Sequence, residues 1–197
     1  MATALRRAAA AAASALRSDA SAALGAVVRS AREPPAWPAR QARSAEGVVP
    51  RVSSWAAVHE TAVVAGRVAV GDDAVVGVRA VLRGDTGLVS VEGKAVVGDG
   101  AVVTVTHPAA RDPVTGLPLR AVVGRNARVG AGAVLDACVV EPDAVIGERA
   151  VVGRGALVEA GAVVGDDTVV PPGRRVPAKE IWRGNPATFV GVVEEGH

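Results

Sequence analysis

Few side chains in this 197-residue sequence are equipped for acid–base, nucleophilic or metal chemistry. There are three histidines, His59, His107 and His197, and one cysteine, Cys138. His107 sits in an irregular stretch, Thr106-His107-Pro108, where a general base for acyl transfer would have to stand. No second base or carboxylate motif accompanies it, so a solvated turn is the simpler reading. His59 falls at a bend of the repeat described next, and His197 is the last residue; both read as solvent-facing. Cys138 reads as a small buried packing residue, and a single cysteine excludes a disulfide framework. The sequence holds no phosphate loop, no Cys-rich metal spacing and no basic patch studded with aromatics. Neither a nucleotide nor a nucleic acid is therefore an expected partner.

The element that must position these groups is a six-residue repeat. Each unit opens with an aliphatic residue and places a small residue four positions later. The openers run Val58, Val64, Val70, Val76 and Leu82, then Val91, Val97 and Val103, then Val123, Val129 and Leu135. A last unbroken series runs Val140, Ile146, Val152, Val158, Val164, Val170 and Val176. A hexapeptide period is the signature of a parallel β-helix, with three units to each triangular coil. The opener points inward and stacks on its counterpart one coil away, and the small residue fills the tight corner. These eighteen units predict about six coils. The sequence interrupts the period after Leu82, over residues 104–122, and by one residue between Leu135 and Val140. Loops that leave a solenoid collect on one side and often carry its function.

Composition divides the chain at the same place as the repeat. Of 40 valines, only Val27 and Val28 precede residue 48, whereas 18 of 41 alanines lie in residues 1–45. Aromatics are nearly absent, as a narrow coil built on Val and Ala requires. Through residue 44 there are seven arginines against Asp19 and Glu33, a net charge of +5, and the remainder carries −3. Residues 1–45 thus read as a basic amphipathic helix. Leu5, Leu16 and Val27 lie on one side, and Arg7, Arg17 and Arg29 on the other. Such a segment suits a mitochondrial presequence or a helix lying on an anionic membrane. Residues 46–178 form the β-helix domain, and residues 179–197 a C-terminal cap or tail.

Two further stretches narrow the class. Ala80-Val81-Leu82-Arg83-Gly84-Asp85 and Ile181-Trp182-Arg183-Gly184-Asn185-Pro186-Ala187 resemble the γ-class carbonic anhydrases, as does the five-residue step from Leu135 to Val140. The resemblance implies a left-handed β-helix and a trimer with zinc sites between neighbouring chains. By family position the three ligand histidines are replaced by Thr104, Ala131 and Asp136, so zinc is not expected and the chain is not expected to be an enzyme. Arg83, Asp85 and Asp99 match the family's polar cluster, for bicarbonate or for ion pairs between chains. Pro113-Val114-Thr115-Gly116-Leu117-Pro118 and Pro171-Pro172-Gly173-Arg174-Arg175 are similar to the carbonic-anhydrase-like subunits of mitochondrial complex I. That likeness implies a non-catalytic structural subunit with two related chains as partners. It would sit against complex I membrane-arm subunits on the matrix side of the inner membrane, with the N-terminal arm on the membrane surface. The alternatives are a bicarbonate- or CO2-binding module without turnover, and an acyltransferase using His107.

Overall fold

The computed structural model describes residues 41–42, 47–106, 118 and 120–193. Within them the chain forms the expected left-handed parallel β-helix. Most strands are two or three residues long, and each pairs in parallel with the strand one coil above and below. The first face stacks Val52, Val70, Val91, Val123, Val140, Val158 and Val176 in register. The second stacks Val58, Val76, Val97, Val129, Ile146, Val164 and Trp182. The third stacks Val64, Leu82, Val103, Leu135, Val152 and Val170, with Gln41–Ala42 paired beneath Val64 and Ala65.

Two faces therefore carry seven strands, so the coils number about seven rather than the six expected. The difference is Val52 and Trp182, one at each end, which face inward like openers but lie outside a clean hexad. The solenoid accordingly runs past residue 178, since Glu180–Arg183 is the seventh strand of the second face. Gln41–Ala42, within the stretch read as an arm, already lies on the body. The helix expected over 1–45, with Leu5, Leu16, Val27, Arg7, Arg17 and Arg29, otherwise lies outside the described residues, as does His107.

The interior explains the composition. Ala74, Ala80, Ala95, Ala101, Ala127 and Ala133 sit at corners with no exposed surface, and Cys138 occupies the equivalent slot at the third corner. A corner this tight also demands glycine. A Cβ on Gly130 would stand 2.6 Å from the backbone of Gly147 and Glu148 in the next coil. Gly77, Gly98 and Gly147 stand in the same column and also meet backbone of the next coil, whereas Gly165 at the top faces the Arg183 side chain.

The top coil closes differently. Arg174, which is exposed, and Glu180, half-buried, take the corner positions that alanine holds lower down. The Arg174 guanidinium lies 5.0 Å from the Trp182 ring centre, and the indole N–H donates to Glu180 at 2.8 Å. After a turn through residues 184–187, Thr188–Val192 returns antiparallel against Glu180–Arg183. Val190 and Val193 then cover Val145, Val163 and Ile181 on the outside of the second face.

Candidate functional site

All three interruptions of the period fall at the corner between the third and first faces. This corner gathers most of the residues singled out above. Arg83, Thr104 and Asp136 each follow an inward opener of the third face and lie in register, one coil apart. They form one column on the outer edge of the solenoid, each within a strand spacing of the next.

The column's groups are already engaged. Arg83 pairs with Asp85 two residues on, the carboxylate half-buried and the guanidinium exposed. Asp136 accepts from the Thr106 backbone N–H at 3.0 Å and from the Thr106 hydroxyl at 2.8 Å, one carboxylate oxygen to each. The Thr104 carbonyl accepts from Ala137 N–H at 2.8 Å, and the Thr86 hydroxyl donates to the Val105 carbonyl. The strand end 104–106 is thus held from the coil below and the coil above. Cys138, two residues past Asp136, is fully buried. Desolvation first, and the Asp136 charge second, push its thiol from 9.0 up to about 12.

Asp99 and Ala131 are not part of this column. Both lie at the corner between the second and third faces, five residues before Thr104 and Asp136 respectively. At roughly 3.3 Å per residue, the whole width of the third face, about 15 Å, separates the two edges. Asp99 accepts the Val78 N–H at 2.8 Å through its side chain and the Gly132 N–H at 2.8 Å through its carbonyl. It ties three coils together at its own corner. Ala131 contributes its carbonyl, to Arg149 N–H at 2.9 Å, and its methyl group offers no donor atom. A single chain therefore brings together Arg83 with Asp85 and Thr104 with Asp136, and holds Asp99 and Ala131 apart from both pairs. His59 is exposed, its Nδ1 2.9 Å from the Thr61 hydroxyl at a bend.

Sequence reading missed a second set of working side chains. Glu92, Glu141 and Glu159 each follow a first-face opener, and each accepts a backbone N–H from the coil above, on Arg125, Ala160 and Ala178, at 3.0 Å. The recurring Val-Glu pair at 91–92, 140–141 and 158–159 was the available signal. Glu159 also binds Arg175, which holds its carboxyl below the usual range. Arg149 grips Asp167 through two 2.8 Å bonds and does the same to that carboxyl. A shallow groove of about 1070 Å³ runs along the lower first face, with Arg51, Asp72, Glu92, Lys94 and Arg125 on its walls. Neither Thr104 nor Asp136 reaches it.

Known proteins share this plan. γ-Carbonic anhydrase 2, mitochondrial, of Arabidopsis thaliana is 35% identical over 133 residues, 68% of this chain and 46% of its own length. The chain thus spans about half of that plant protein. Carnitine operon protein CaiE of Escherichia coli is 35% identical over 150 residues, 76% of this chain and 71% of its own length. Among solved structures, a Bacillus cereus protein described as a putative acetyltransferase superposes with a TM-score of 0.70 at 22% identity. That match covers 77% of this chain and 83% of the other. No protein-family model matches the chain.

Proposed function

The chain belongs to the γ-carbonic-anhydrase-like hexapeptide-repeat proteins, and on that premise we propose that it is a non-catalytic structural subunit of a γ-carbonic anhydrase heterotrimer. The assembly would stand on the matrix side of the mitochondrial complex I membrane arm, with the N-terminal arm at the inner membrane. One observation carries the non-catalytic reading. Of the three positions that the family gives to zinc ligands, Ala131 has no donor atom, and Asp136 spends both oxygens on Thr106. Thr104 offers only a neutral hydroxyl. A catalytic zinc takes three N, S or O ligands and an open position, and these residues do not fit it.

The split of the site across the third face supports the trimeric part. Thr104 and Asp136 occupy one edge, and Ala131 the other, so the three positions can converge only when the edges of two chains meet. A chain with all three replaced then disables both interfaces it enters. At most one interface of a mixed trimer keeps its histidines. The mitochondrial placement draws on the name of the plant relative.

The test is purification of the full chain from detergent-solubilised mitochondrial membranes. Co-purification with two related chains and with NADH dehydrogenase activity is the expected result. A chain that elutes alone, or only with copies of itself, overturns the heterotrimer. Metal analysis with mapping of the bound ion addresses catalysis separately. Zinc at an interface lined by Thr104, Ala131 or Asp136 would sink the non-catalytic reading.

A further inference from the structure

The two ends of the solenoid are finished differently. At the top, Trp182 closes the core under Arg174 and beside Glu180. At the bottom, among the described residues, only the third face is continued downward, by Gln41–Ala42. Two large apolar side chains face solvent at this end: Trp55 is 76% exposed and Val49 is 48% exposed. The turn that carries Trp55 is fixed. The Ser53 hydroxyl donates to the Asp72 carboxylate and accepts the Trp55 N–H at 3.1 Å. The indole is therefore displayed from a pinned turn, beside the exposed Arg51.

An indole has a large apolar body and one polar N–H, which suits it to the level of lipid headgroups. Charge points the same way. The forty residues before Gln41 join the body at this end, and the sequence through residue 44 carries a net +5. Anionic headgroups attract such a segment. The remaining large exposed apolar residues are dispersed: Val63 and Val151 on the third face, Leu88 at the third corner, and Phe189 and Val192 on the C-terminal strand. Of these only Val63, which adjoins the Val64 paired with Gln41, also lies at this end, and the others stand on higher coils or at the top.

We infer that the bottom of the solenoid is its membrane-facing end, with Trp55 and Val49 seated at the headgroup level of an anionic bilayer. The inference rests on the membrane reading of the arm, and adds to it an orientation and two contact residues of the body. The solenoid axis then stands away from the surface, and the Trp182 end points into the aqueous phase.

The test uses the full chain in its purified assembly, labelled with an environment-sensitive fluorophore. Cys138 is buried and need not be removed. Single cysteines are introduced by Ser54→Cys at the bottom, Thr188→Cys at the top and Ala20→Cys in the arm. The probe is vesicles of phosphatidylcholine with phosphatidylglycerol, compared with pure phosphatidylcholine. Emission should rise at positions 54 and 20 with the anionic vesicles and stay constant at 188. Trp55→Ser, checked for an unchanged melting temperature, should weaken vesicle binding about tenfold, as partial burial of an indole implies. A response at 20 with silence at 54 overturns the orientation and leaves the arm reading standing. Silence at both overturns the two together. Protection of position 54 by a co-purified protein, and not by vesicles, also overturns it and names a protein partner instead.

Discussion

Trp182→Ala tests how the core is closed. Trp182 ends the second-face column above Val164 and is 7% exposed, so truncation empties the top of the core. Removing a buried tryptophan costs about 3–5 kcal/mol. Its ring also faces Arg174 at 5.0 Å, worth about 0.5–1 kcal/mol at a site this close to solvent. The freed Glu180 carboxylate can turn to water, so no orphaned charge is added. The cavity opens at an end and can partly collapse, which favours the lower half of the range, about 3–4 kcal/mol. For a domain of this size each kcal/mol shifts the melting temperature by about 2–4 °C, so a fall of roughly 6–16 °C is expected if melting is two-state. A solenoid is held by neighbouring coils, so the damage should also be local. Hydrogen exchange should accelerate over residues 163–193 and stay slow in the strands Val96–Val97 and Arg128–Val129. A melting temperature unchanged within a degree, or exchange raised evenly through all coils, would refute the reasoning.

Other expectations follow from single positions. Gly130→Ala places a Cβ 2.6 Å from backbone that cannot move aside. It should cost about 1–3 kcal/mol by overpacking, whereas Gly191→Ala meets nothing within 4 Å and should leave denaturant midpoints unchanged. Asp136→Ala removes the acceptor of the Thr106 N–H and hydroxyl. Trypsin should then cut faster between residues 107 and 120, with little change in overall melting because Thr106 is exposed. Cys138 should resist iodoacetamide at pH 8 in the folded chain and react on unfolding. Its thiol is raised from 9.0 to about 12, so the unfolded chain releases that proton first. Stability is then retained below pH 9 and declines as pH rises from 9 toward 12; a flat stability profile across that window would contradict the burial.

What the sequence made legible follows from how strongly each position is constrained. Inward openers and corner alanines are dictated by a narrow interior, so Val58 through Val176 and Ala62 through Ala162 could be read from spacing alone. The ends carry no such constraint. Val52 opens a unit followed by Ser53-Ser54-Trp55, and Trp182 is too large to suggest a hexad opener, so one coil went uncounted. Arg174 and Glu180 hold the corner positions that alanine holds lower down, and charge is tolerated there only because the stack stops. The glutamates at 92, 141 and 159 escaped notice for a related reason. Their task is to accept backbone N–H groups of the next coil, about eighteen or more residues away along the chain, and no local pattern expresses that pairing.

The candidate site obeys the same division of labour. A core of Val and Ala has no room for polar chemistry, so every functional side chain must stand on the outside of a corner or an edge. Replacement there leaves the stacking interior untouched. Thr104 and Asp136 follow the fully buried Val103 and Leu135, and Ala131 stands two residues before the fully buried Ala133. Asp136 shows what such an outer position can do for the fold. It fastens Thr106 to the coil above, while Asp85 at the same corner is paired with Arg83. Restoring a histidine at 136 alone would therefore break the Thr106 anchor without assembling a metal site, because Thr104, in register beside it on the same edge, still offers no ring nitrogen. Exchange of side chains at these outer positions is cheap for the fold. A zinc site at the Thr104 edge would need both Thr104 and Asp136 replaced together.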